Sequence, residues 1–147
     1  MTTDGLVNIR SLYGPRETMN RLTTEVEARG MTVYARIDHA AFAAEAGMPL
    51  RPSDLLIFGN PRAGMPLMES VPTVAIDLPL KALVWQDIAG NTWVSYNDPA
   101  WIARRHTIEP GREGTTAAMS AMLDAIATTA ASRPLTPELP SPIDLRH

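Results

Sequence analysis

The 147-residue sequence contains no cysteine. That removes disulfides, thiolate metal sites and cysteine nucleophiles in one step, and it fits a reducing compartment. No stretch approaches the ~20 apolar residues that a membrane helix needs. Lysine is almost missing: Lys81 stands alone against twelve arginines, and the longest basic run is Arg104-Arg105. With a net charge of −3 and no basic stripe, the chain lacks the electrostatic footprint of a nucleic-acid binder. The opening residues Met1-Thr2-Thr3-Asp4-Gly5 have neither a basic n-region nor a following apolar run, so no signal peptide is expected and a cytoplasmic location is. Walker, G-x-G-x-x-G, H-E-x-x-H and G-x-S-x-G patterns are all absent.

What is present is a regular alternation of strand and helix signals. Leu6 to Leu12 reads as a strand, stopped by Tyr13-Gly14-Pro15. Pro15 suits a first helical turn, and Met19, Leu22 and Val26 follow at helical spacing up to Gly30. Met31 to Ile37 alternates as a second strand, and Asp38 caps a short alanine-rich helix that ends at Gly47. The apolar run Leu55-Leu56-Ile57-Phe58 predicts a central strand. Asn60-Pro61 then caps and starts a helix reaching about Glu69.

Val71 to Ile76 reads as a fourth strand. Leu80–Gln86 and Asn91–Tyr96 read as a hairpin around Asp87-Ile88-Ala89-Gly90. Asp98-Pro99 predicts a helix over 99–105, and a final helix covers 115–131. Pro134, Pro137, Pro140 and Pro142 rule out helix or central strand in the tail. The predicted order is β-α-β-α-β-α-β-β-β-α-α. It implies a single α+β domain over residues 1–131 with a mixed β-sheet, helices packed mainly on one face, and a proline-rich tail over 132–147.

Four segments carry a resemblance: residues 30–39 (Gly30 through His39), Gly59-Asn60-Pro61, residues 77–81 (Asp77 through Lys81), and residues 96–99 (Tyr96 through Pro99). Together and in this order they resemble the domain of unknown function 302 family over about residues 5–106. The resemblance implies a compact α+β core that pairs into homodimers, and it implies no established reaction. The helix over 115–131 then counts as an addition to that core.

The polar residues that offer chemistry are few. His39, at a strand-to-helix junction, reads either as a general acid, base or ligand or as a structural histidine bonding a neighbouring backbone, and a helix N-terminus disfavours its imidazolium form. Asn60 opens a helix where anions are attracted, and it equally serves as a plain cap. Asp77 and Lys81 stand four apart and would share a side if the chain there is extended, either as a functional pair in which Asp77 orients Lys81 or as an ion bridge near a strand end. The lone lysine of an arginine-rich chain reads either as drift in base composition or as a mark of a place where a compact point charge is wanted. Tyr96 and Asn97 close the hairpin, where Tyr96 either offers its hydroxyl to a pocket or packs in the core.

The first reading is a small-molecule binding module, selecting a polar or anionic ligand with His39, Asn60, Asp77, Lys81, Tyr96 and Asn97. The second is a small enzyme using His39 as acid or base, with Lys81 stabilising charge. The third is an assembly domain using Met119, Met122 and the tail. Trp85, Trp93 and Trp101 are expected as core or interface anchors. No cofactor is expected, and no metal, because His39, His106 and His147 lie far apart in sequence.

Overall fold

A computed structural model describes residues 3–108 and 113–132. The tail prolines lie outside the described residues. Five strands are present: β1 (Leu6–Ser11), β2 (Thr32–Asp38), β3 (Ser53–Gly59), β4 (Leu80–Gln86) and β5 (Thr92–Asn97). Five α-helices accompany them: α1 (Pro15–Ala28), α2 (His39–Glu45), α3 (Pro61–Ser70), α4 (Pro99–Arg105) and α5 (Glu113–Ala131). The strands form one sheet in the order β1-β5-β4-β3-β2, and every neighbouring pair is antiparallel.

The α+β class is therefore observed, with two corrections. The sheet is wholly antiparallel rather than mixed. The strand predicted at Val71–Ile76 is instead a 3-10 turn, Pro72–Asp77. Thr73, Val74 and Ile76 favour a strand locally. However, β4 is already flanked by β3 and β5 and has no free edge to offer. Pro72 also lacks the N–H that a ladder would use, and it sits in the first turn of the 3-10 segment.

Local chemistry explains the other boundaries. Asp38, Asn60 and Asp98 each accept a hydrogen bond from a backbone N–H of the helix that follows, which satisfies donors left free in the first turn. Pro61 and Pro99 then occupy the first helical position. Asp87 organises the hairpin loop, accepting from the N–H groups of Ala89 and Asn91 and from Trp93 Nε1. These bonds, led by the one from Trp93, hold its carboxyl below the usual range.

The period-2 alternation of the strands sets the two faces of the sheet. On one face Leu56, Phe58, Leu80, Ala82, Val84, Val94 and Tyr96 meet Met19, Leu22 and Val26 of α1 and Leu123, Ile126 and Ala130 of α5. Fully burying a side chain of this kind stabilises by roughly 1.5–3 kcal/mol, so this layer holds the fold. A second cluster joins Leu67 of α3, Val74 of the turn, Ile102 of α4 and Met119 of α5. Arg21 of α1 donates to the carbonyls of Thr129, Ala130 and Ser132, satisfying acceptors at the end of α5. Among the described residues, the other face of the sheet carries no helix of comparable packing.

Candidate functional site

Two concavities matter, and they lie on different parts of the molecule. The first is a cavity of about 350 Å³ at one end of the sheet. Its walls come from the end of β3 and start of α3 (Gly59 to Pro61), from Leu78-Pro79-Leu80 leading into β4, and from the N-terminal half of α5. Met31, Met68, Met119 and Met122 all line it. The lining is mainly apolar, with Arg29, Tyr34, Asn60 and Thr115 as its polar members. Tyr34 is placed there by a register shift between Val33 and Ala35 in β2. An extra residue of this kind is a common way of re-aiming a side chain.

The second is a shallower pocket of about 320 Å³ on the uncovered face of the sheet. Leu6, Leu55, Leu83 and Trp85 give it an apolar floor, while Asn8, Lys81, Ser95 and Asn97 supply polar groups. Ser95 joins the strands by accepting a hydrogen bond from Trp85 Nε1 at 2.8 Å and donating to Asn8 Oδ1. Among the described residues, Lys81 Nζ has only a long contact to the Pro79 carbonyl, at 3.5 Å.

The six candidate residues do not converge on one place. Lys81, Tyr96 and Asn97 line the open-face pocket, but the Tyr96 side chain belongs to the helix-covered core. Burial, helped by Asp124 and Asp98, pushes its phenol up to about 12. Asn60 lines the end cavity and at the same time caps α3 through Arg62 N at 3.0 Å. His39 sits exposed at the start of α2, and its ring has no hydrogen-bond partner among the described residues. A general base there has nothing to orient it.

Asp77 does not face Lys81. It ends the 3-10 turn and accepts two bonds from Arg105 Nη1, at 3.0 and 2.9 Å, and one from His106 Nε2. A carboxylate only accepts, so Nε2 carries the proton. His106 Nδ1 then lies 3.1 Å from Thr73 Oγ1. Of the two described histidines, His106 is thus the one with partners, and the sequence reading passed it over. Only its position next to Arg104-Arg105 at a helix end marked it as a group able to meet a carboxylate. Met119 and Met122, expected as a partner surface, face the end cavity. Among the described residues no three His, Cys, Asp or Glu side chains stand close enough to hold a metal.

Comparison with known proteins adds the following. The family model described as "Domain of unknown function DUF302" matches residues 7–126, a span that runs past α4 and through most of α5. A solved structure, an uncharacterized conserved DUF302 protein from Bacillus stearothermophilus, superposes with a TM-score of 0.77. It covers 88% of this chain and 100% of that one at 20% identity, and so speaks for the fold alone. Two curated relatives are named fluoride-specific ion channel FluC 1, one from Brucella suis biovar 1 (strain 1330) and one from Brucella abortus biovar 1 (strain 9-941). Each is 45% identical over 104 residues, which is 71% of this chain. The match spans only 41% and 38% of those proteins. No described helix of this chain is long and apolar enough to cross a membrane.

Proposed function

The chain belongs to the family described as domain of unknown function DUF302, and on that footing we propose that it is a small-molecule binding module whose ligand occupies the cavity between α3, α5 and the start of β4. One observation carries this reading: about 350 Å³ of space lined mainly by apolar side chains, four of them methionines. That volume lies within the range of small-molecule pockets, roughly 300–1,000 Å³. Thioether side chains adapt their shape to what they enclose. The ligand this favours is small and mainly apolar, with one polar or anionic end beside Asn60 and Arg29. It is a different balance from the polar site expected from the sequence.

The test uses 1-anilinonaphthalene-8-sulfonate, which joins an apolar body to one anion. Saturable binding at one site per chain is expected. Gly64 lines the cavity, and a Cβ added there meets only ordinary contacts at 3.5 Å, so Gly64→Leu fills the space with little strain on the backbone. That variant should lose the probe while keeping its circular dichroism. Unchanged binding would place the probe elsewhere and defeat the reading.

Pairing of two copies is part of the proposal, in the compartment expected from the sequence, the cytoplasm. Its support is the α2 edge. β2 is an edge strand, α2 buries no residue, and Phe42, Met48 and Leu50 are 60%, 65% and 53% exposed. A free edge beside exposed apolar side chains suits a self-complementary contact. Phe42→Asp should lower the assembled mass; an unchanged mass excludes this edge.

A second reading comes from the fluoride-channel relatives. This chain matches about two fifths of their length and has no described membrane-crossing helix. On this reading the chain corresponds to a part of those proteins other than the pore, with a membrane channel as its partner. Co-expression with such a channel, followed by fluoride efflux from proteoliposomes with and without this chain, tests it. Equal efflux and no co-purification would remove the reading.

A further inference from the structure

We propose that the pocket on the open face of the sheet is a second ligand site, which takes a carboxylate on a short apolar body and holds it through Lys81. This site is independent of the end cavity. The ladder registers fix its layout. Lys81 pairs with Ile57 of β3 on one side. One step beyond the Ala82–Tyr96 pair it stands opposite Asn97, which in turn pairs with Leu6. The next row on the same face runs Leu55, Leu83, Ser95, Asn8.

The polar capacity left over in these two rows points in one direction. Ser95 spends its hydroxyl proton on Asn8 Oδ1 and its oxygen on Trp85. The Asn8 amide N–H groups and the Asn97 side chain have no partner among the described residues, and no described carboxylate lies within ion-pair reach of Lys81. The Lys81 ammonium, whose one acceptor is the Pro79 carbonyl at 3.5 Å, and the Asn8 amide donor therefore face the same pocket with no described carboxylate beside them. A bound carboxylate would supply both the opposite charge and the acceptors. Leu6, Leu55, Leu83 and Trp85 would cover its apolar body.

The identity of the cation matters as well. This is the single lysine of the sequence, in a chain that elsewhere uses arginine. Lys81 stands between Ile57 and Asn97 of the neighbouring strands, and its ammonium is a compact point charge. A planar guanidinium needs a wider, forked acceptor arrangement.

Trp85 lines the pocket and stacks on Trp93, with ring centroids 6.3 Å apart, so tryptophan emission reports its occupancy. The probes are sodium octanoate and octanol, which share an apolar chain and differ in charge. Octanoate is expected to change the emission saturably and to bind at least about tenfold more tightly than octanol. Lys81→Gln should erase that preference and leave octanol binding unchanged. Lys81→Arg should restore it only in part. Leu83→Trp, which fills the pocket floor, should abolish binding of both. No change with octanoate, equal titration by octanoate and octanol, or full octanoate binding in Lys81→Gln would each overturn the proposal. If octanoate binds but is lost in Gly64→Leu and kept in Lys81→Gln, it sits in the end cavity, and this inference fails while the previous reading stands.

Discussion

The two faces of the sheet are made from the same five strands and have opposite characters. On the covered face, Phe58, Val84 and Val94 are fully buried against α1 and α5 and need no polar partner. On the open face, Leu55, Lys81, Leu83, Trp85 and Trp93 are only half-buried, and a polar seam (Trp85, the buried Ser95, Asn8) runs among them. The comparison teaches that one face suffices to hold this fold. Residues on the other face are free to be chosen for contact with something else.

The strongest way to break the comparison is to truncate a leucine on each side. Leu123→Ala on the covered side should cost about 2–5 kcal/mol in urea unfolding, because it leaves a cavity among rigid neighbours. Leu83→Ala on the open side should cost about 1 kcal/mol or less, since the site is already in contact with water. Equal costs would mean that the open face is covered in solution. The seam offers a finer test. Ser95→Ala strands the Trp85 N–H and the Asn8 carbonyl, which is worth about 1–3 kcal/mol. Trp85→Phe made on top of it should cost less than Trp85→Phe alone, which a double-mutant cycle reads directly.

The smallest effect is confined to alkaline solution. Tyr96 faces the covered side, and its phenol is pushed up from 10.0 to about 12 in the folded chain. Folding therefore favours its protonated form. The associated stability is intact below pH 10 and is lost as the pH rises through about 12. Tyr96→Phe should flatten that alkaline limb of the urea midpoint against pH. An unchanged limb would assign the loss to other groups.

How much of this was legible in the sequence depended on how local the signal was. The Asp98-Pro99 pair placed α4 at its observed limits, because a capping carboxylate and a proline at the first helical position act within three residues. Asn60-Pro61 and Asp38 worked for the same reason. The 3-10 turn was missed because Thr73, Val74 and Ile76 state a strand preference locally, which Pro72 and the occupied edges of β4 outweigh. The candidate site suffered most. Tyr96 and Asn97 are adjacent in sequence but lie on opposite faces, so a pattern of neighbouring polar residues does not make a pocket. Asp77 and Lys81 were paired on the assumption of an extended chain, yet the turn ends between them and Asp77 finds Arg105 and His106 instead. Those partners depend on how the turn meets α4, which no spacing along the chain encodes.

The order of strands in the sheet also governs how the chain comes together in time. β1 leaves the ribosome first, yet its partner in the ladder is β5, with Leu6 against Asn97. β2 through β5 can zip as successive antiparallel neighbours while synthesis continues. β1 must wait for nearly the whole domain, and Leu12 then reaches the carbonyl of Ala131 at the end of α5. Closing so long a loop is the slow kind of contact. The strand made earliest is thus the last to dock, and until it does, β5 presents a bare edge to any neighbouring nascent chain.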